Sequence, residues 1–154
     1  MQVIWGHEAV VVPFVAHMAD TTANYGPCVT AAVVDGKGDM VAGFIFHDYD
    51  PKAGVMQCSG AALTPKWCTR EVLSELFRYV FETNECQMVV ARTHEDNAPV
   101  RRLWKALGAQ EYIIPRLRGR EASEAVLCVT DDAWSKSRLN EARHGQRLLP
   151  SETP

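Results

Sequence analysis

Six apolar residues between Thr69 and Glu82 constrain the fold more than any other feature of the chain. Val72, Leu73, Leu76, Phe77, Val80 and Phe81 recur at i, i+1, i+4, i+5, i+8 and i+9, which predicts a helix with one buried face. Thr69 stands where a capping hydroxyl is needed, and Asn84 where the helix should stop. Such a helix has to lie against another layer, and the preceding sequence supplies a sheet. Residues 29–34, 40–49 and 55–63 are β-rich runs separated by Asp35-Gly36-Lys37-Gly38-Asp39 and Asp50-Pro51-Lys52-Ala53-Gly54. Those turn signals predict an antiparallel meander.

The rest of the chain extends this pattern. Gln2–Trp5 is a short strand, followed by a helix over 8–18 in which Pro13 must occupy the first turn or make a kink. The continuous apolar run 86–92 predicts an interior strand covered on both faces. A helix over 98–107 carries Val100, Leu103, Trp104 and Leu107 on one side, with Pro99 in its first turn and Gly108 closing it. Strands at 112–114 and 125–130 follow, and Asp131 and Asp132 are expected to cap a last short helix bearing Trp134. The order β-α-β-β-β-α-β-α-β-β predicts one mixed α/β (α+β) domain over 1–139, its mostly antiparallel sheet flanked by helices. A polar tail, 140–154, has the composition of a mobile segment.

Charge and cysteine usage narrow the function classes. The net charge is -3, yet residues 92–120 hold seven Lys/Arg against three acids. A basic region on an acidic chain suits a small polyanion better than a long nucleic acid. No apolar run approaches the roughly 18–20 residues of a membrane-spanning helix, and Glu8 and Pro13 interrupt any leader-like stretch. Cys28, Cys58, Cys68, Cys86 and Cys128 are odd in number with no C-x-x-C, which fits neither a disulfide framework nor a zinc site. Small buried thiols in the cytoplasm are expected instead. His7, His17, His47, His94 and His144 lack the i, i+4 pairing of a helical metal site, so no metal is expected.

The segment Val89-Val90-Ala91-Arg92-Thr93-His94-Glu95-Asp96-Asn97, followed by Val100-Arg101-Arg102-Leu103-Trp104-Lys105-Ala106-Leu107-Gly108-Ala109, together with the order of elements, resembles the GNAT superfamily of acyl-CoA-dependent N-acyltransferases. Small phage and prophage members are the most similar in aspect. The resemblance implies acetyl-CoA as cosubstrate, a small-molecule or protein amine as acceptor and homodimers as a common state, while the charge and the apolar runs argue against nucleic-acid and membrane partners. By position it assigns Leu63, Lys66, Trp67, Cys68, Thr69 and Arg70 to the cofactor's pyrophosphate, at a helix start where N–H groups and the macrodipole favour anions. Cys68, Thr69, Arg70 and Glu71 are expected to supply the amides, and Trp67 to be exposed. Asn97 matches the Asn that reaches the pantetheine arm, and Arg101 lies where phosphates find further partners.

Two positions depart from the family pattern. Thr and Glu stand where a glycine-rich run normally precedes the pyrophosphate helix, and Trp104 replaces a Tyr general acid. The implied chemistry, direct attack of an amine on a thioester, needs a base and N–H groups to polarise the carbonyl. Gln57 and Ser59 on one strand, and Thr93, His94 and Glu95 at the end of another, are the polar candidates. His94, with Glu95 and Ser59, is the expected catalytic set, and His47 with Asp48 is a second pair. Three readings remain open: an N-acetyltransferase, a non-catalytic binding or regulatory module, and an enzyme acylating a nucleobase.

Overall fold

The computed structural model describes residues 1–19, 21 and 24–139, so the expected tail lies outside the described residues. Strands β1 (Gln2–Trp5), β2 (Cys28–Val34), β3 (Met40–Asp50), β4 (Val55–Ala62), β5 (Met88–His94), β6 (Gln110–Ile114) and β7 (Glu124–Thr130) form one sheet in the order β1-β2-β3-β4-β5-β7-β6. Every neighbouring pair is antiparallel except β4 and β5. Helices α1 (Glu8–Met18), α2 (Arg70–Arg78), α3 (Ala98–Ala106) and α4 (Asp131–Ser135) complete the fold. The predicted order of elements and the meander are both present.

Alternation along the strands sends side chains to two layers. Phe44, Phe46, Met56, Cys58 and Val89 pack with Val72, Leu76 and Phe77 of α2 and Trp134 of α4, while Leu103 and Trp104 of α3 lean on the same cluster. Ala32 and Ile45 turn the other way, onto Val11 and Val15 of α1. Gly43 permits that approach, because a Cβ there would stand 3.1 Å from both Phe14 and Val11.

Several expectations change in detail. Pro13 sits in the middle of α1 rather than in its first turn, exposed like Ala9 one turn before it, and the helix runs on to Met18. The amphipathic helix ends as α at Arg78 and widens into one π turn, Tyr79–Thr83, where the Asn84 side chain donates to the Tyr79 carbonyl at 2.8 Å. That turn wedges the Tyr79 ring between Trp5 (4.7 Å) and Phe46 (5.1 Å). The last helix is capped by Thr130, whose hydroxyl accepts from the Ala133 N–H, with Asp131 and Asp132 in its first turn. β5 starts at Met88 rather than Cys86, and only one of its faces is fully covered. Val89, Ala91 and Thr93 are buried, whereas Arg92 is exposed, because α1 packs on β2, β3 and β4 and stops short of β5.

Candidate active site

β4 and β5 separate soon after they meet. They pair only at Val55↔Met88, Met56↔Val89 and Gln57↔Val90. Beyond that point residues 58–62 stay paired to β3 alone and residues 91–94 to β7 alone, so a split opens toward the carboxyl ends of both strands. The Leu63 N–H donates to the Val41 carbonyl at 2.8 Å, which sets the alternation of the antiparallel ladder. Ser59 and Ala61 therefore spend their backbone groups on β3, the Cys58 N–H closes the β4–β5 ladder on the Val90 carbonyl, and the Cys58 carbonyl, Gly60 and Ala62 face the split. Such an unpaired edge can accept an extended ligand carrying amide groups.

At the wide end the chain turns through Pro65–Trp67 into α2. Trp67 is 8% exposed, its ring against Phe44 at 4.8 Å, so the expectation of an exposed indole is corrected. The reason lies in β4: Gly60 leaves room for Phe44, and Phe44 in turn supports Trp67. Cys68 and Thr69 also differ from expectation, because their N–H groups donate within the turn, to Pro65 O and Trp67 O. The Thr69 hydroxyl caps α2 by accepting from the Val72 N–H at 3.2 Å. That leaves the Arg70 and Glu71 amides as the outward donors of the first turn. Leu63, Lys66, Arg70 and Glu71 are exposed around them. Burial pushes the Cys68 thiol up rather than down, so it is not an activated nucleophile.

Across the split, Asn97 caps α3. Its side-chain oxygen accepts from the Val100 N–H, and its amide nitrogen donates to the Thr93 hydroxyl at 2.9 Å. Arg101 is held by the chain: Nε and one terminal nitrogen grip the Glu111 carboxylate at 2.8 and 2.6 Å, and the other donates to the Glu95 carbonyl. That bidentate pair, aided by Lys105 at 3.2 Å, lowers the Glu111 carboxyl to about 2. Arg101 thus fastens α3 to β6, and Arg102 is the exposed cation of this helix without an ion pair among the described residues. Trp104 meets Phe77 edge-on at 5.9 Å as core packing.

The three expected catalytic residues are spread along the split. His94 ends β5 and Glu95 opens the β5–α3 turn, both at its wide end. There His94 Nδ1 accepts from the Asp96 N–H at 3.0 Å, and the Glu95 backbone bridges Ser123 and Arg101. Ser59 lies at the narrow end, two residues beyond the last β4–β5 pair. Its partners are the second pair read from the sequence. Ser59 Oγ stands 2.8 Å from His47 Nε2, and Asp48 Oδ2 stands 2.6 Å from His47 Nδ1. The imidazole is 7% exposed, with the Tyr25 ring edge-on at 5.1 Å. Burial pushes the Tyr25 phenol up. Sequence reasoning placed His47 and Ser59 on separate strands; the missing signal was register, since His47 pairs with Gln57 and so lies diagonal to Ser59.

Among the described residues, no group of three or more His, Cys, Asp and Glu is arranged to hold a metal ion, and no helix is long and apolar enough to cross a membrane. No protein-family model matches the sequence, and no curated protein matches it. Solved structures do match. A point mutant of the spermidine N-acetyltransferase SpeG from Vibrio cholerae is 7% identical, with a TM-score of 0.72 over 88% of this chain and 98% of the other. A GCN5-related N-acetyltransferase from Brucella melitensis is 21% identical, with a TM-score of 0.62 over 91% of this chain and 65% of the other. The architecture is that of the GNAT acetyltransferases.

Proposed function

We propose that this GNAT-fold chain is an N-acetyltransferase that takes acetyl-CoA into the β4–β5 split and passes the acetyl group to an amine. The observation that carries the reading is the split itself, an open strand edge that leads directly to a capped helix start. The Cys58 carbonyl and the N–H and C=O groups of Gly60 and Ala62 are offered to the pantetheine amides. The Arg70 and Glu71 amides, with Lys66 and Arg70 side chains beside them, receive the pyrophosphate, while Leu63, Trp67, Cys68 and Thr69 shape the turn that presents them. Asn97 keeps α3 in place on the opposite bank. Attack of the neutral amine forms the C–N bond as the C–S bond breaks. Because the SpeG neighbour is a spermidine N-acetyltransferase by name, polyamines are the first small acceptors to try. The five reduced cysteines suit a cytoplasmic setting.

Trp104 favours a second reading, a binding module on the same fold, because an indole cannot protonate a leaving thiolate as the family's Tyr does. Thermal melting with acetyl-CoA separates the cases. At a hundredfold excess over its dissociation constant, a ligand of the folded state adds about 2.7 kcal/mol. A shift with thiol release on adding amine is the expected result. A shift without thiol release from any amine class contradicts the transferase, and no shift at millimolar acetyl-CoA favours the module.

A further inference from the structure

The most completely bonded group beside the split is one that the cofactor reading does not use. His47 is buried on the α1 side of the sheet, and both of its ring nitrogens are engaged, one by Asp48 and one by Ser59. Asp48 reaches back to the ring it follows because its backbone adopts φ 50, a left-handed conformation that a strand residue does not ordinarily take. With the Asp48 carboxylate accepting from Nδ1–H, Nε2 is left to accept from the Ser59 hydroxyl. Ser59, half-buried, stands at the narrow end of the split, and the next residue, Gly60, turns its N–H into that opening.

We propose that Ser59, His47 and Asp48 form a proton-accepting chain for the acceptor amine, with Ser59 as the catalytic residue that touches it and His47 and Asp48 acting through Ser59. The inference rests on the acetyltransferase reading. An incoming ammonium gives a proton to Ser59 Oγ as the Ser59 proton passes to His47 Nε2, and Asp48 balances the imidazolium so formed. The freed lone pair makes the C–N bond, the departing sulfur takes the second nitrogen proton, and the imidazolium returns its proton to water through Ser59. The groups facing the imidazole are Asp48 on β3, Ser59 and Gln57 on β4, Cys28 on β2 and the Tyr25 ring; α1 contributes Glu8, which accepts from the Cys28 thiol at 3.4 Å. An oriented base of this kind contributes about 10²–10⁴-fold.

The test measures thiol release from acetyl-CoA with spermidine and a panel of other amines as acceptors, across pH, alongside acetyl-CoA thermal shifts. Ser59→Ala and His47→Gln are expected to keep the wild-type thermal shift and to lose about 10²–10⁴-fold in kcat/KM. In both, the acidic limb of the pH–rate profile should flatten, whereas Ser59→Thr, which restores a hydroxyl, should recover both rate and limb. Ser59→Ala removes a single oxygen and keeps the test readable if His47→Gln does not fold. Wild-type rates and an unchanged pH profile in Ser59→Ala, with the thermal shift intact, overturn the chain alone. Trapping of an acetyl group on Ser59 overturns it in favour of a nucleophilic serine. A wild-type protein that binds acetyl-CoA but releases no thiol with any amine overturns it as well, and absence of binding by the wild type overturns the acetyltransferase reading beneath it.

Discussion

Replacing Trp67 by alanine is expected to destabilise the protein by about 3–5 kcal/mol, the range for deleting a buried aromatic side chain, and to abolish the acetyl-CoA-dependent thermal shift. The two effects share one origin. Trp67 closes the turn between β4 and α2, its ring packs on Phe44, and its carbonyl accepts the Thr69 N–H. Without the indole, Phe44 loses its support and the first turn of α2 loses the surface that aims the Arg70 and Glu71 amides. Urea denaturation gives the stability change and melting with acetyl-CoA gives the binding change. Trp67→Phe, which refills part of the space, should recover much of the first and some of the second. A Trp67→Ala cost below about 1 kcal/mol would mean that the side chain is not packed as described, since exposed substitutions ordinarily stay within about 0.5 kcal/mol.

The second large effect comes from adding one methyl group. A Cβ on Gly60 would stand 2.5 Å from Phe44 Cδ1 and 2.6 Å from Cε1, distances at which the ring must move. Overpacking of this kind costs about 1–3 kcal/mol, so Gly60→Ala should lower the unfolding free energy by that amount. The Phe44 ring packs on Trp67, so the variant should also weaken acetyl-CoA binding, although no charged or polar group has been altered. Chemical denaturation and a binding titration read the two effects separately. Wild-type stability in Gly60→Ala would contradict the close approach of Phe44 to β4.

How far the sequence could be read depended on the range of the interaction. The α2 stripe, the Thr69 cap and the glycine turns are encoded within a few residues of where they act, and each is present. The split depends on where β4 and β5 stop pairing, which only the strand register shows. What could not be read is what distant segments do to one another. The burial of Trp67 depends on a glycine on the neighbouring strand. Arg101 reads as a phosphate partner until Glu111, ten residues away, arrives beside it on β6. The β5 run looked covered on both faces because nothing local says where α1 stops. His47 and Ser59 meet only after the β3–β4 hairpin sets its register, and a shift of one residue would send them to opposite faces.

Hydrogen exchange at individual amides of β4 tests the central claim, that the open strand edge is where acetyl-CoA lies. Gly60 and Ala62 present their N–H groups to the split, whereas Cys58 has its N–H committed to β5 and Ser59 and Ala61 have theirs committed to β3. Adding acetyl-CoA should therefore slow exchange at residues 60 and 62, and at the Arg70 and Glu71 amides of α2, with little change at 58, 59 and 61. Uniform exchange along β4 with and without saturating acetyl-CoA, or protection confined to a surface away from the split, would contradict it.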